Sequence, residues 1–217
     1  MNKRQVTFYA LVAVSIIGLT FFVLMNPISN FDISVTHEIQ ELRIGHLTTV
    51  MEFISLFGDP AIAFFSIIIA SLFFFRYHHK REAYFTIAVI LPDLLNILTK
   101  ILIHRPRPTL ENAKVVFKFA QTAFPSGHVV HYVVFFGFLL TVMIVNKKIP
   151  QFWRLFIGIS SIFLILTVPI SRIYLGAHWA TDVLGGYAFG FIYLEIILRF
   201  YLRRIGTKHS DFFANKT

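Results

Sequence analysis

The sequence predicts an all-α, polytopic membrane protein with six transmembrane helices, and three observations carry that prediction. Of the 217 residues, 56% are hydrophobic and 14% charged, whereas soluble domains carry about a quarter charged residues. The 26 phenylalanines and a mean hydropathy of +0.70 exceed what one soluble core of this size can bury. The apolar residues also fall into runs of about 20, the length needed to cross a bilayer.

In chain order the runs are Val6 to Met25, Pro60 to Phe75, Ala83 to Ile103, His128 to Val145, Phe152 to Ile170 and Val183 to Tyr201. The first follows Lys3-Arg4 like a secretory signal. It is longer than a signal core, and Asn26-Pro27 offers no small-residue cleavage site, so it reads as an uncleaved helix. The second is short unless it tilts or is joined by Thr48 to Phe57 across Gly58-Asp59-Pro60. Between them, Asp32 to Leu47 carries Val35, Ile39, Leu42 and Leu47 among polar residues, which suits an amphipathic helix on the outer membrane surface. In the third run, Pro92, Asp93, Asn96 and Lys100 share one helical face, with Asp93 read as a structural hydrogen-bonding residue. No repeat or linker divides the chain, so residues 1–217 read as a single membrane domain with a short cytoplasmic tail from about Arg203.

The formal net charge of +9 follows from topology and points to no nucleic acid. With both termini cytoplasmic, Lys3, Arg4, Arg76, Lys80, Arg81, Lys147, Lys148, Arg154, Arg199, Arg203, Arg204, Lys208 and Lys216 lie inside. Only Arg43, Lys100, Arg105, Arg107, Lys114, Lys118 and Arg172 lie outside, a ratio of roughly two to one. The absence of cysteine excludes disulfides, thiolate metal sites and thiol nucleophiles.

In this topology three polar clusters fall on the extracytoplasmic face: Lys100 with His104 to Pro108, Phe124 to His128, and Ser171-Arg172 with His178 and Asp182. Lys100, Arg107 and Arg172 supply positive charge suited to a tetrahedral anion. Ser126 and Gly127 open a helix, where free N–H groups favour a phosphate. Asp182 follows His178 by four residues, one helical turn, and can orient its ring, leaving the other nitrogen free to attack. His128 supplies a second imidazole as proton donor. Arg105, Lys114 and Lys118 read instead as interfacial anchors, and His131 as a hydrogen-bonded structural histidine.

At these residues the chain resembles the type 2 phosphatidic acid phosphatase superfamily of membrane lipid phosphatases. Its three-part signature is present: Lys100, six residues, then Arg107-Pro108; Pro125-Ser126-Gly127-His128; and Ser171-Arg172, five residues, His178, three residues, Asp182. The resemblance implies a phosphatase without metal or other cofactor. His178 is then the nucleophile, oriented by Asp182 and forming a phosphohistidine, and His128 protonates the leaving group and later activates water. Lys100, Arg107, Ser126, the Gly127 amide and Arg172 hold the phosphoryl oxygens. The implied substrate is a lipid phosphate whose tails stay in the bilayer. The compact form is similar to the bacterial phosphatidylglycerophosphatases, which favours phosphatidylglycerophosphate, with undecaprenyl pyrophosphate and phosphatidic acid as alternatives. The short outer loops argue against vanadate haloperoxidase chemistry and against soluble sugar phosphates. A non-enzymatic lipid-binding or translocating protein would account for the cations. It would not account for Asp182 one turn from His178 or for His128 at a helix start.

Overall fold

The computed structural model describes residues 3–116 and 122–214, with side chains described for residues 7, 9–116 and 122–203. Lys118, and the side chains of Lys3, Arg4, Arg204, Lys208 and Lys216 used in the topology argument, lie outside the described residues. All regular structure among the described residues is helical.

Helix α1 (Lys3–Met25) has 23 residues, about 34 Å, enough to cross a bilayer. The chain then bends by 92° into α2 (Asn30–Glu41). Ser29 caps α2, accepting the Asp32 N–H at 3.1 Å. Two features differ from the sequence expectation for Asp32 to Leu47. The helix stops at Glu41, with α3 (Gly45–Ser55) starting afresh. Its polar stripe Asp32, Thr36 and Gln40 is buried against the protein, while Phe31 and Leu42 are exposed. The i, i+4, i+8 spacing puts these polar groups on one face, and that face has buried charges to satisfy.

A short turn (Leu56–Gly58) links α3 to α4 (Pro60–Arg76) through a 60° bend, and the two helices together have the length and composition of one span. Pro60 occupies the first turn of α4, where its missing N–H costs nothing. Helices α5 (Lys80–Ala88) and α6 (Ile90–Ile103) form one candidate span of 24 residues. At the end of α6, His104 adopts a left-handed conformation (φ 49°), which turns the chain back toward the bundle.

The fourth span consists of α7 (Gly127–His131), a five-residue π-helical stretch (Tyr132–Phe136) and α8 (Gly137–Val145). It is the central helix: 67% of its apolar window is buried, against 28% to 39% for the other three spans that pass singly. Helices α9 (Gln151–Tyr174) and α10 (Ala180–Ala214) complete the bundle. Helix α10 has 35 residues and continues beyond Arg203, where the sequence suggested a tail. Four spans meet the length and composition needed to cross a membrane singly, and six do if each bent pair counts as one.

Close packing of α10 on α7 sets the site. A Cβ on Gly186 would lie 2.9 Å from the Ser126 carbonyl oxygen, and one on Gly190 would lie 2.9 Å from Val133. Glycine at both positions lets the two backbones approach, as in small-residue membrane interfaces. The approach is sealed by the Ser126 N–H donating to the Asp182 carbonyl at 3.0 Å.

Candidate active site

All eight residues singled out from sequence come together at one end of the bundle. Lys100, Arg107, Gly127, His128, Arg172 and His178 line a cavity of about 500 Å³. Ser126 and Asp182 are wholly buried beside it.

His178 sits in the α9–α10 turn. Gly176 makes that turn possible at φ 67°, where a side chain would also strike the Lys114 carbonyl. The His178 Nδ1 lies 3.4 Å from Asp182 Oδ2, and its Nε2 lies 3.5 Å from Arg107 Nη1. Asp182 is the third residue of α10 and accepts the Trp179 N–H at 2.8 Å, the carboxylate half of a capping box. The same carboxylate caps its helix and faces the imidazole. Burial, and then the charges of Arg107, Lys100 and Arg172, push His178 well below the ordinary histidine range, so the ring is held neutral. Burial pulls the Arg107 guanidinium down to about 10, against the pull of Asp182, and it remains a cation at neutral pH.

Beneath Asp182 lies a buried charge cluster that the sequence reading missed. Arg105, read as an interfacial anchor, is instead 2% exposed. It donates to Asp182 Oδ1 at 2.5 Å, Asp32 Oδ2 at 2.7 Å, the Thr181 hydroxyl at 2.7 Å and the Pro27 carbonyl at 2.9 Å. Asp32 also accepts the Thr181 N–H at 2.9 Å. A guanidinium between two carboxylates satisfies both, which a membrane-surface anchor would not need. The signal available in the sequence was the stripe of Asp32, Thr36 and Gln40, a polar face demanding buried partners.

The other cations are also tied down. The Lys100 ammonium donates to the Thr122 carbonyl at 2.8 Å and the Ala123 carbonyl at 3.3 Å. Arg172 donates through Nη1 to the Ser55 hydroxyl. Gly127 starts α7, and a Cβ there would come within 3.1 Å of the Asn96 amide, so glycine keeps the cradle open. The buried Ser126 hydroxyl has no hydrogen-bond partner among the described residues, as an oxygen awaiting an anion would be.

His128 is held differently. Its Nε2 lies 3.4 Å from Asp59 Oδ1, and its ring packs so closely on Gly58 that a Cβ there would collide with it. Asp59 precedes α4 at the N-cap position without capping that helix, its carboxylate turned to the imidazole instead. The sequence reading had no role for Asp59. Deeper in the cavity, His131 Nδ1 pairs with Asp93 Oδ2 at 2.9 Å, which accords with the structural hydrogen bond expected of both residues.

Two histidines, each beside an aspartate and faced by three basic side chains and a helix start, are suited to displacement at phosphorus. Comparisons with known proteins agree. The PAP2 superfamily model matches residues 81–205. Phosphatidylglycerophosphatase B of Bacillus subtilis is 28% identical over 180 residues, covering 81% of this chain and 85% of that protein. The crystal structure of the transmembrane PAP2 type phosphatidylglycerolphosphate phosphatase from Bacillus subtilis superposes with a TM-score of 0.72 at 24% identity, covering 86% of this chain and 94% of the other. That of Aquifex aeolicus LpxE gives 0.58 at 22% identity, covering 76% and 93%. The structural likeness is one of fold; the family match spans more than half the chain and takes in all three signature segments, and on it this multi-pass membrane phosphatase belongs to the PAP2 superfamily.

Proposed function

We propose that this phosphatase removes the terminal phosphate of phosphatidylglycerophosphate by way of a phosphohistidine, without a metal. The His178 Nε2 attacks phosphorus, an N–P bond forms and the P–O bond to the lipid alcohol breaks. His128 gives its proton to the departing oxygen. In the second half, His128 takes a proton from water, the hydroxide displaces histidine from phosphorus, and inorganic phosphate leaves. Lys100, Arg107, Arg172, Ser126 and the Gly127 amide hold the phosphoryl oxygens and balance their charge, the task a metal performs in other phosphatases.

The observation that carries the reading is the state of His178: buried, neutral, faced by Asp182 on one nitrogen and by cations on the other side. A lipid substrate is supported by the cavity walls, where Ala63, Phe64 and Ile67 of α4 face Ile90, Leu94 and Ile97 of α6. Acyl chains can lie along those walls while the phosphate reaches the cations. The choice among lipids rests on the similarity to phosphatidylglycerophosphatase B. The site then faces the extracytoplasmic side with both termini in the cytoplasm, supported by the distribution of basic residues.

The test is phosphate release by purified protein in EDTA from phosphatidylglycerophosphate, phosphatidic acid and undecaprenyl pyrophosphate. Release should be fastest from the first and fall by about 10³-fold or more in His178→Ala. Rapid quenching should trap an acid-labile phosphoryl group on the wild type alone. A preference for the pyrophosphate would transfer the assignment to that lipid, and an active His178→Ala would reject the nucleophile. Because the chain has no cysteine, single cysteines at Thr109 and Lys147 report orientation directly. An impermeant maleimide applied from outside should label only the first.

A further inference from the structure

The cavity does not end at the phosphate cradle. One turn beyond His128 on α7 lies His131, about 4.5 Å along the axis. Facing it on α6, two turns from Lys100, lies Asp93, and both line the same cavity with Asn96. Asp93 is mid-span, where an ionisable group is expensive and by default functional. One of its oxygens is held by His131, yet its side chain remains 28% exposed. The surrounding stripe is under-satisfied: Asn96 Oδ1 and His131 Nε2 are buried without a hydrogen-bond partner among the described residues. Since a carboxylate oxygen accepts, His131 Nδ1 is the donor of that pair, and Asn96 Oδ1 is a further acceptor beside it. This end of the cavity therefore presents acceptors, whereas the cradle presents donors.

We infer that Asp93, braced by His131 and flanked by Asn96, forms a second subsite that accepts a hydrogen bond from a hydroxyl on the leaving alcohol. The inference rests on the proposed function, in which His128 protonates the leaving oxygen, so the leaving group extends past His128 toward His131. A bridging glycerol carries a hydroxyl on the carbon next to the one bearing that oxygen, and an O–H···O hydrogen bond of about 2.7 Å extends its reach toward the carboxylate one turn along α7. A second phosphate in the same place would bring negative charge to a carboxylate and supply no donor. The subsite therefore selects a hydroxylated headgroup over a pyrophosphate.

The experiment compares phosphatidylglycerophosphate with the same lipid built on propane-1,3-diol in place of the bridging glycerol. Wild type should prefer the hydroxylated lipid in kcat/KM by about 10- to 100-fold, the range for a lost hydrogen bond to a charged acceptor. In Asp93→Ala the ratio should fall toward one. Asp93→Asn, which keeps an acceptor oxygen and the local shape, should retain part of it and guards against misfolding of the alanine variant. A purely structural Asp93 would slow both lipids alike and leave the ratio intact, which overturns the subsite. Equal rates on both lipids in wild type overturn it without touching the proposed reaction. Release from neither lipid, with undecaprenyl pyrophosphate still cleaved, overturns the proposed substrate first and the subsite with it.

Discussion

The two histidines of the site are built to different standards. His178 faces a carboxylate fixed on all sides: Asp182 is held by Arg105, by the Trp179 N–H and by its place in the first turn of α10, and Arg105 is fixed in turn by Asp32 on α2. His128 has one carboxylate neighbour, Asp59, which is 57% exposed and stands at the bend between two helices. The first arrangement ties α2, α10 and the loop after α6 into one unit. The second hangs on the bend that precedes α4, in the wall where that helix borders the cavity. A nucleophile gains from being held at one distance and in one tautomer, since misplacement by an ångström costs rate directly. In the proposed reaction His128 serves a leaving group in the first step and water in the second, and the wall beside it would admit a lipid. The contrast teaches that buried charge pairing is concentrated beneath His178, the proposed attacking group.

The largest effect that sharpens the contrast is at Asp182. Asp182→Asn should lower kcat by about 10² to 10⁴-fold while leaving measurable turnover, because the nucleophile stays but loses its orienting charge. Single-turnover kinetics check it, and a loss as complete as that of His178→Ala would mean that Asp182 does more than orient. Next comes Arg105→Ala, which strands two buried carboxylates. Removing one partner of such a cluster costs about 3–5 kcal/mol, so the melting temperature in detergent should fall clearly. An unchanged melting temperature would dissolve the claim that the His178 side is the anchored one.

A smaller effect is in the pH profile. The charged form of His178 is disfavoured by burial and by three cations, so its neutral form persists below the ordinary histidine pKa of about 6.5. The acid limb of kcat/KM should therefore lie at lower pH than that value, and Lys100→Met, which deletes one cation, should move it upward. A limb at or above pH 6.5 in the wild type contradicts the electrostatics. The smallest effect is expected at Asp59. Asp59→Asn should reduce kcat by about tenfold or less, below the ~10²-fold that marks loss of a general acid itself. If it matched Asp182→Asn, the two sides would be equally braced and the comparison would break.

Much of this molecule was legible before its structure. Membrane spans announce themselves because every apolar residue facing lipid must be read from the chain, and the turn residues Gly58-Asp59-Pro60 marked the bend between α3 and α4. The candidate site was legible because each piece has a fixed local spacing: Asp182 follows His178 by four positions, and Arg107 follows Lys100 by seven. Arg105 was misread for the opposite reason. Nothing within a few residues of it tells an inward from an outward guanidinium, and its partners lie 73 and 77 positions away. Asp59 escaped notice likewise, as an aspartate before Pro60 looks like an ordinary helix cap.

What the sequence alone determined, then, is the set of things encoded by periodicity and short spacing: an all-helical membrane body, and the histidines, cations and helix start that meet at one cavity. What only the tertiary structure decided is which carboxylate lies beside which histidine. The left-handed turn at His104 sends Arg105 inward, the buried polar face of α2 meets it, and close packing of α10 on α7 brings Asp182 beside Ser126. A buried charge in a low-dielectric interior must find its partner wherever the fold provides one, and that distance in space bears no relation to distance along the chain.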